Sequence, residues 1–284
     1  MTVLVIGATG SIGSRVVEEL LAHGEDVRGV VRNASRTKGF PDKADAFIAD
    51  LNDAEAVTFA VEGVERIVLI AANTANQAQQ EANVIESARL NDVQHLVKLS
   101  VGGAAPDAGL ALARAHWTAE VKLRESGVPF TTVRPGFFMQ NLLQYSSWIA
   151  EDGTWPLPMG DQPIAMVHAA DVAKIIATVV VSNPFGSDVN VTGGTALTMA
   201  EAADALGHAA GRPISYVDGD PSQFFDRMVA LGADEQYARD MTVLYDEIIR
   251  AGYAGAVSDD VQTILHRAPI TFAQFAEENA VYFQ

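Results

Sequence analysis

Gly7, Gly10 and Gly13 stand three residues apart, directly after the apolar run Val3–Ile6 and at the head of a helical pattern that begins at Ile12. A strand that turns sharply into a helix offers unpaired backbone N–H groups and the positive end of the helix dipole to whatever lies above the turn, so the natural ligand is an anion. The spacing is G-x-x-G-x-x-G where the Rossmann fingerprint is G-x-G-x-x-G, but the physical demands are alike. One glycine permits the turn, one lets a pyrophosphate approach the backbone, and one lets helix and strand pack closely. Gly7, Thr9, Gly10, Ser11, Ile12 and Gly13 are therefore the expected cradle of a dinucleotide. Without a ligand the same segment is simply a glycine-rich turn.

Other candidates fall at the ends of later apolar runs. Where an NAD site usually carries Asp or Glu to hold the ribose hydroxyls, this chain has Arg32, with Arg36 and Lys38 close behind. A guanidinium there can pair with a 2′-phosphate through charge-assisted hydrogen bonds, which favours NADP(H) over NAD(H). Alternatively, Arg32 stacks on the adenine without reading the phosphate. Asp50, with Leu51 beside it, is placed to meet the adenine amine or to cap a helix. Asn73 and Thr74 are expected at the cofactor ribose or in a turn, and Ser100 near the nicotinamide or the substrate.

His116 and Glu120 lie one helical turn apart, close enough for the carboxylate to fix the imidazole tautomer. His116 reads either as a proton donor to a reduced substrate or as a half-buried histidine paired with Glu120. None of the six tyrosines is followed by lysine four residues on, so the Tyr-x-x-x-Lys machinery of alcohol–ketone exchange is absent. There is no G-x-S-x-G elbow and no H-E-x-x-H, and no metal is expected. Phe137, Phe138, Met139, Trp148, Trp155, Met159, Met166 and His168 crowd the region after residue 135. Of these, Phe137, Phe138, Trp155 and His168 are the expected walls of a pocket for a small aromatic molecule, while about half of the set is expected to be core.

These residues need elements to position them. Apolar runs at Val3–Ile6, Val27–Val31, Ala46–Ala49, Ile67–Ile70, Leu96–Leu99 and Phe130–Val133 alternate with helical patterns at Ile12–Ala22, Ala54–Ala60, Gln77–Asn91 and Leu112–Ser126. That alternation is the signature of βαβ units on a parallel sheet. The expected fold is α/β, a Rossmann-type doubly wound parallel sheet with a smaller, mostly helical C-terminal subdomain on the substrate side. The division is placed at residues 1–153 and 154–284, interleaved, with a strand near 187–192 returning to the sheet. Asp171 is expected to cap or orient the next helix, and Met199–Ala210, Ser222–Leu231 and Glu235–Ala251 read as helices. Alanine-rich helices such as Met199–Ala210 could pack internally or form a homodimer seam.

Composition narrows the partners. The 284 residues carry a formal charge of −17, a surface that repels phosphate backbones and anionic lipid, so no direct nucleic-acid or membrane partner is expected. With no cysteine, redox chemistry has to come from a bound cofactor. The opening apolar run is too short for a signal-peptide core, and a cytoplasmic protein is expected.

The loop Gly7–Gly13 with Arg32, the segment His116-Trp117-Thr118-Ala119-Glu120, the run Ser126–Thr131 and the stretch Arg134–Asn141 together resemble the NmrA-like group of atypical short-chain dehydrogenase/reductases. Val167–Ala173, Thr192-Gly193-Gly194 and Phe272–Asn279 resemble it as well, so the likeness spans nearly the whole chain. The resemblance implies the fold and dinucleotide binding, and it puts His116 near the position where some relatives carry a catalytic lysine. It leaves two activities open. One is an NADPH-dependent reductase that passes hydride to a planar, electron-poor acceptor such as a quinone or azo compound. The other is a non-catalytic NADP(H) sensor acting through a protein partner.

Overall fold

The computed structural model describes residues 1–37, 40–74 and 76–284. The chain packs as two units. The first comprises Met1–Ala108, Leu112–Pro135 and Ala169–Val191, and the second comprises Gly109–Ala111, Gly136–His168 and Thr192–Gln284. The boundary expected after residue 153 therefore falls inside the second unit. The chain leaves the sheet at Pro135 and returns to it only from Ala169 to Val191.

In the first unit, β1 (Thr2–Ile6), β2 (Asp26–Val31), β3 (Asp45–Ile48), β4 (Arg66–Leu69), β5 (His95–Leu99), β6 (Phe130–Pro135) and β8 (Asp188–Val191) form one sheet in the order β3-β2-β1-β4-β5-β6-β8. Every pairing is parallel. The expected returning strand is β8, with Val133 opposite Val189. The continuous Val, Ile and Leu runs mark strands covered on both faces, and Val3, Leu4, Val5, Ile67 and Val68 are fully buried. One face packs against α2 (Ala54–Val61), α3 (Gln77–Leu90) and the end of α4 (Ala111–Glu125). On the other, α1 (Gly13–Ala22) packs against α6 (Ala169–Val181). Asp171 sits buried in the first turn of α6.

The strand order reverses between β1 and β4, and there the chain ends of both strands come very close. Gly7 has φ +77°, and a β-carbon on it would lie 2.2 Å from the carbonyl oxygen of Ile70. A β-carbon on Gly13 would lie 2.1 Å from the carbonyl oxygen of Gly7. Real β-carbons do not come so near to backbone oxygen, so both positions require glycine for space, and Gly7 also for its conformation.

The second unit has its own apolar core, which includes Tyr145, Trp148, Trp155, Tyr245, Phe275 and Phe283. It carries α5 (Ser146–Asp152), a parallel pair of strands β7 (Thr154–Leu157) and β9 (Ser215–Asp218), and then α7 (Met199–Ala210), α8 (Pro221–Ala230), α9 (Glu235–Val243), α10 (Asp260–Leu265) and α11 (Phe272–Asn279). Reciprocal capping boxes open α7, through Thr198 and Glu201, and α11, through Thr271 and Gln274. The helix expected over Glu235–Ala251 is α9 followed by a π-helical stretch, Leu244–Ile249, that carries the buried Tyr245.

The close approach at Gly7 can be separated from its backbone conformation. Gly24 has a similar φ of +80° but open space around it. Gly24→Ala should cost roughly 1–2 kcal/mol from the left-handed backbone alone. Gly7→Ala should cost roughly 2–5 kcal/mol because the clash with Ile70 is added. Urea denaturation of both variants measures the difference.

Candidate functional site

Strand β1 delivers the glycine loop to the switch point of the sheet, the place where open parallel sheets bind ligands. Thr9, Gly10 and Ser11 are exposed, while Ile12 and Gly13 on their helical side are buried. The loop is closed by hydrogen bonds from Gly10 N–H to the Gly7 carbonyl (2.9 Å) and from Ser14 N–H to the Gly10 carbonyl (2.9 Å). Ile12 occupies the N-cap of α1 without a side-chain cap, and the first turn holds no acidic residue. A helix start that is uncapped and free of negative charge, reached through an exposed loop, fits a phosphate. The residues present thus suit a dinucleotide pyrophosphate.

Arg32 follows β2 and is exposed, and its charge helps lower the pKa of Asp50. The larger causes of that lowering are the backbone and side chain of Asn52, which donate to Asp50 Oδ1 at 2.9 and 2.8 Å. Asp50 is not the helix cap. That role belongs to Asp53, which accepts from the amides of Glu55 and Ala56 at the start of α2. Leu51 is partly buried, and its carbonyl accepts from Asn83 Nδ2. Asn73 and Thr74 are exposed, and the Thr74 carbonyl accepts from Gln77 N–H ahead of α3. Lys38 and the side chain of Arg36 lie outside the described residues.

Two buried polar groups lie at the carboxyl end of β5. The first is built on Glu120, whose carboxylate is fully buried. It accepts from Ser100 Oγ at 2.5 Å, from Arg134 Nε at 3.0 Å and from Arg124 at 2.9 Å, with a further short contact to Arg134 Nη2. Burial alone would raise the Glu120 pKa, but these donors outweigh it and hold the group ionised. Asp188 pairs with Arg134 Nη1 at 2.8 Å and, at 3.2 Å, with the same Arg124 Nη2 that meets Glu120. Two expectations are corrected here. Glu120 does not orient His116, because its oxygens are taken up by a serine and two guanidinium groups. Ser100, only 2% exposed, gives its hydroxyl proton to Glu120 rather than presenting it to a ligand.

The second group is built on Lys98, which is fully buried in β5. Its Nζ donates to Glu81 Oε1 at 2.6 Å, to His116 Nδ1 at 3.0 Å and to the Leu99 carbonyl at 3.2 Å. Gln77 Nε2 lies 3.3 Å from each ring nitrogen of His116. Burial pushes the Glu81 carboxyl up and the Lys98 ammonium down, each partly offset by the other's charge. His116 is pushed down to about 3 by burial and by the neighbouring ammonium. It is therefore a neutral imidazole at physiological pH, not a protonated acid. Lys98, Glu81 and Gln77 were not anticipated from sequence. A lysine inside His95-Leu96-Val97-Lys98-Leu99 reads as an outward-facing strand residue, and only the fold brings α3 and α4 over it.

The residues expected to wall a substrate pocket all belong to the second unit. Phe137 is 9% exposed and meets Tyr245 edge-on at 5.9 Å, and Phe138 is half-buried and bridged to Val167. His168 is buried, with Nε2 3.4 Å from Glu278 and its ring edge-on to Phe275. Trp155 is wholly buried in the core and leaves no surface for a ligand, so the expectation for it fails. Among the described residues, no cluster of three or more His, Asp or Glu is placed to hold a metal ion, and no helix is long and apolar enough to cross a membrane.

The NmrA-like family matches residues 1–276, and the chain belongs to that family. It is 33% identical to the NAD(P)H azoreductase of Xenophilus azovorans over 99% of both chains. It is similar to the Escherichia coli NADPH-dependent quinone oxidoreductase solved with NADPH, with a TM-score of 0.88, 26% identity, and 97% and 99% of the two chains covered. The triphenylmethane reductase of Citrobacter sp., solved with NADP(H), shares the fold with a TM-score of 0.89 at 23% identity, covering 99% of this chain and all of that one.

Two buried histidines make the molecule acid-sensitive in a defined window. His95 is held at about 4 by burial and by Arg66, and His116 at about 3. Both lie below the unfolded value, so the unfolded chain binds protons that the folded one refuses, and stability falls as pH drops below about 6.5. From pH 7 to 5 each should remove up to about 2 kcal/mol, measured by urea denaturation at the two pH values. Imidazole NMR should show neither ring titrating above pH 5.

Proposed function

We propose that the protein is an NADPH-dependent reductase that transfers hydride to a small, planar, electron-poor acceptor of the quinone or azo type. The observation that carries this reading is the uncapped start of α1 behind an exposed glycine loop, Thr9 to Ser11, that tolerates no side chain at Gly7 or Gly13, with Arg32 at the end of the neighbouring strand. The relatives named above, a nicotinamide-dependent azoreductase and a quinone oxidoreductase, support it.

The amides of Thr9 to Gly13 bind the pyrophosphate, and Arg32 pairs with the 2′-phosphate. Asn73, after β4, contacts the ribose, and Asp50, with Leu51 beside it, meets the adenine. Bound NADPH supplies the hydride. The chain's task is then to orient the acceptor and exclude water, which is sufficient for an acceptor whose reduced form is a stabilised anion. The missing Tyr-x-x-x-Lys pair thus narrows the acceptor rather than excluding catalysis. Within the second unit, Phe137, Phe138 and His168 are the proposed acceptor contacts; within the first, His116 is the proposed proton donor. A cation facing the 2′-phosphate and an acidic surface elsewhere are consistent with NADP(H) as cofactor and a neutral or cationic acceptor.

Calorimetric titration of the wild type and Arg32→Ala with NADPH and NADH tests the cofactor half. Losing a charge-assisted phosphate contact should weaken NADPH by roughly tenfold or more and leave NADH nearly unchanged. Steady-state NADPH oxidation with quinone, azo and enone acceptors tests the other half. Nucleotide binding with no turnover on any of them would overturn the reductase reading and leave a cofactor-binding regulator.

A further inference from the structure

A neutral imidazole is a poor proton source. If His116 gave up its only N–H proton unaided it would be left as an imidazolate, which is far too basic to form at neutral pH. A neutral imidazole can act as a donor only if its other nitrogen is reprotonated in the same event. In this protein Nδ1 accepts a hydrogen bond from a lysine ammonium 3.0 Å away, so the ring proton sits on Nε2. The three acceptors around Lys98 Nζ match the three protons of an ammonium.

We propose that Lys98 is the proton source of the reduction and that His116 carries the proton, the ammonium passing one proton to Nδ1 as Nε2–H is given to the reduced acceptor. This rests on the reductase reading above. The acceptor gains two electrons and one hydrogen as hydride and is left with negative charge on oxygen or nitrogen. The Nε2–H bond breaks as a new O–H or N–H bond forms on the acceptor, and an Nδ1–H bond forms as an Nζ–H bond breaks. His116 ends neutral with its proton on Nδ1, and Lys98 ends as an amine. The relay resets in reverse, solvent returning one proton to Nε2 as the Nδ1–H bond breaks and its proton goes back to Nζ.

Several features fit this role better than a merely structural ion pair. Isolated charges are costly to bury, and a well-packed apolar pair of the same volume is often no less stable. Lys98 and Glu81 are both 0% exposed, and His116, at 4%, is the most open member of the three. The group lies at the carboxyl end of β5, where parallel sheets place their ligands. Burial also eases proton loss from the ammonium.

The chemistry of the acceptor provides the test. A triarylmethyl cation takes hydride and becomes neutral, so it needs no proton. A quinone leaves a stabilised phenolate, and an azo compound leaves a strongly basic nitrogen anion. Lys98→Met should therefore slow azo reduction by on the order of a hundredfold, quinone reduction by about tenfold, and triarylmethyl cation reduction by less than about twofold. The double variant Lys98→Met/Glu81→Gln removes both buried charges and guards against a fold lost to an unpaired Glu81. It should show the same order of losses.

A second readout needs no turnover. Imidazole ¹⁵N spectra should show His116 locked with its proton on Nε2 in the wild type, and a mixture of tautomers in the lysine variants. Equal losses on every acceptor the wild type reduces, or an unchanged tautomer, would overturn the proposal. If the wild type reduces none of the three with NADPH, the reductase reading is what fails, and the tautomer spectra still decide whether Lys98 controls His116.

Discussion

The carbonyl oxygen of Ile70 lies where a β-carbon on Gly7 would have to be, and the carbonyl oxygen of Gly7 lies where one on Gly13 would be. These two contacts draw the end of β1, the end of β4 and the start of α1 together more tightly than any side chain would allow. The loop Thr9 to Ser11 is exposed ahead of α1, and no side chain caps the helix. The rest of the proposed cofactor site follows from the sheet order, since β2 brings Arg32 alongside and β4 brings Asn73.

Beside this loop the first unit buries two groups of charged side chains. Glu120 and Asp188 are balanced by Arg124 and Arg134, and Glu81 is balanced by Lys98. Charge is neutralised in both groups, but only the first is anchored by guanidinium groups that reach the surface. It ties α4 to β6 and β8 and holds Ser100 in place. The second is buried, and His116 is its least buried member. A network that braces the sheet and a network able to move a proton thus sit side by side at one end of β5.

The sheet was legible in the sequence because strands covered on both faces need unbroken apolar runs, and because the glycine spacing has few other uses directly after a strand. The last strand could be anticipated from Val189–Val191. The extent of α6 could not, because Ala, Val and Ile make up ten of its 13 residues and nine of its residues are buried, so no polar face betrays a helical period. The site was legible only where the backbone itself makes it. Gly7 to Gly13 and Arg32 are local features, whereas the partners of His116 come from α3 and β5, 39 and 18 residues away. Glu120, one turn along the same helix, looked like the obvious partner. It was claimed instead by Arg134, which offers a charge-assisted fork that a neutral imidazole cannot match. Trp155 shows the same limit, since an aromatic residue near a proposed pocket cannot be told from a core residue until the strand pairing is known.

Amide hydrogen exchange with and without NADPH tests the central claim most directly, because that claim concerns backbone N–H groups. The account predicts that saturating NADPH slows exchange at Thr9 to Gly13 more than anywhere else in the first unit, with lesser protection around Arg32. Unchanged exchange across Thr9 to Gly13, with protection centred elsewhere, would contradict it.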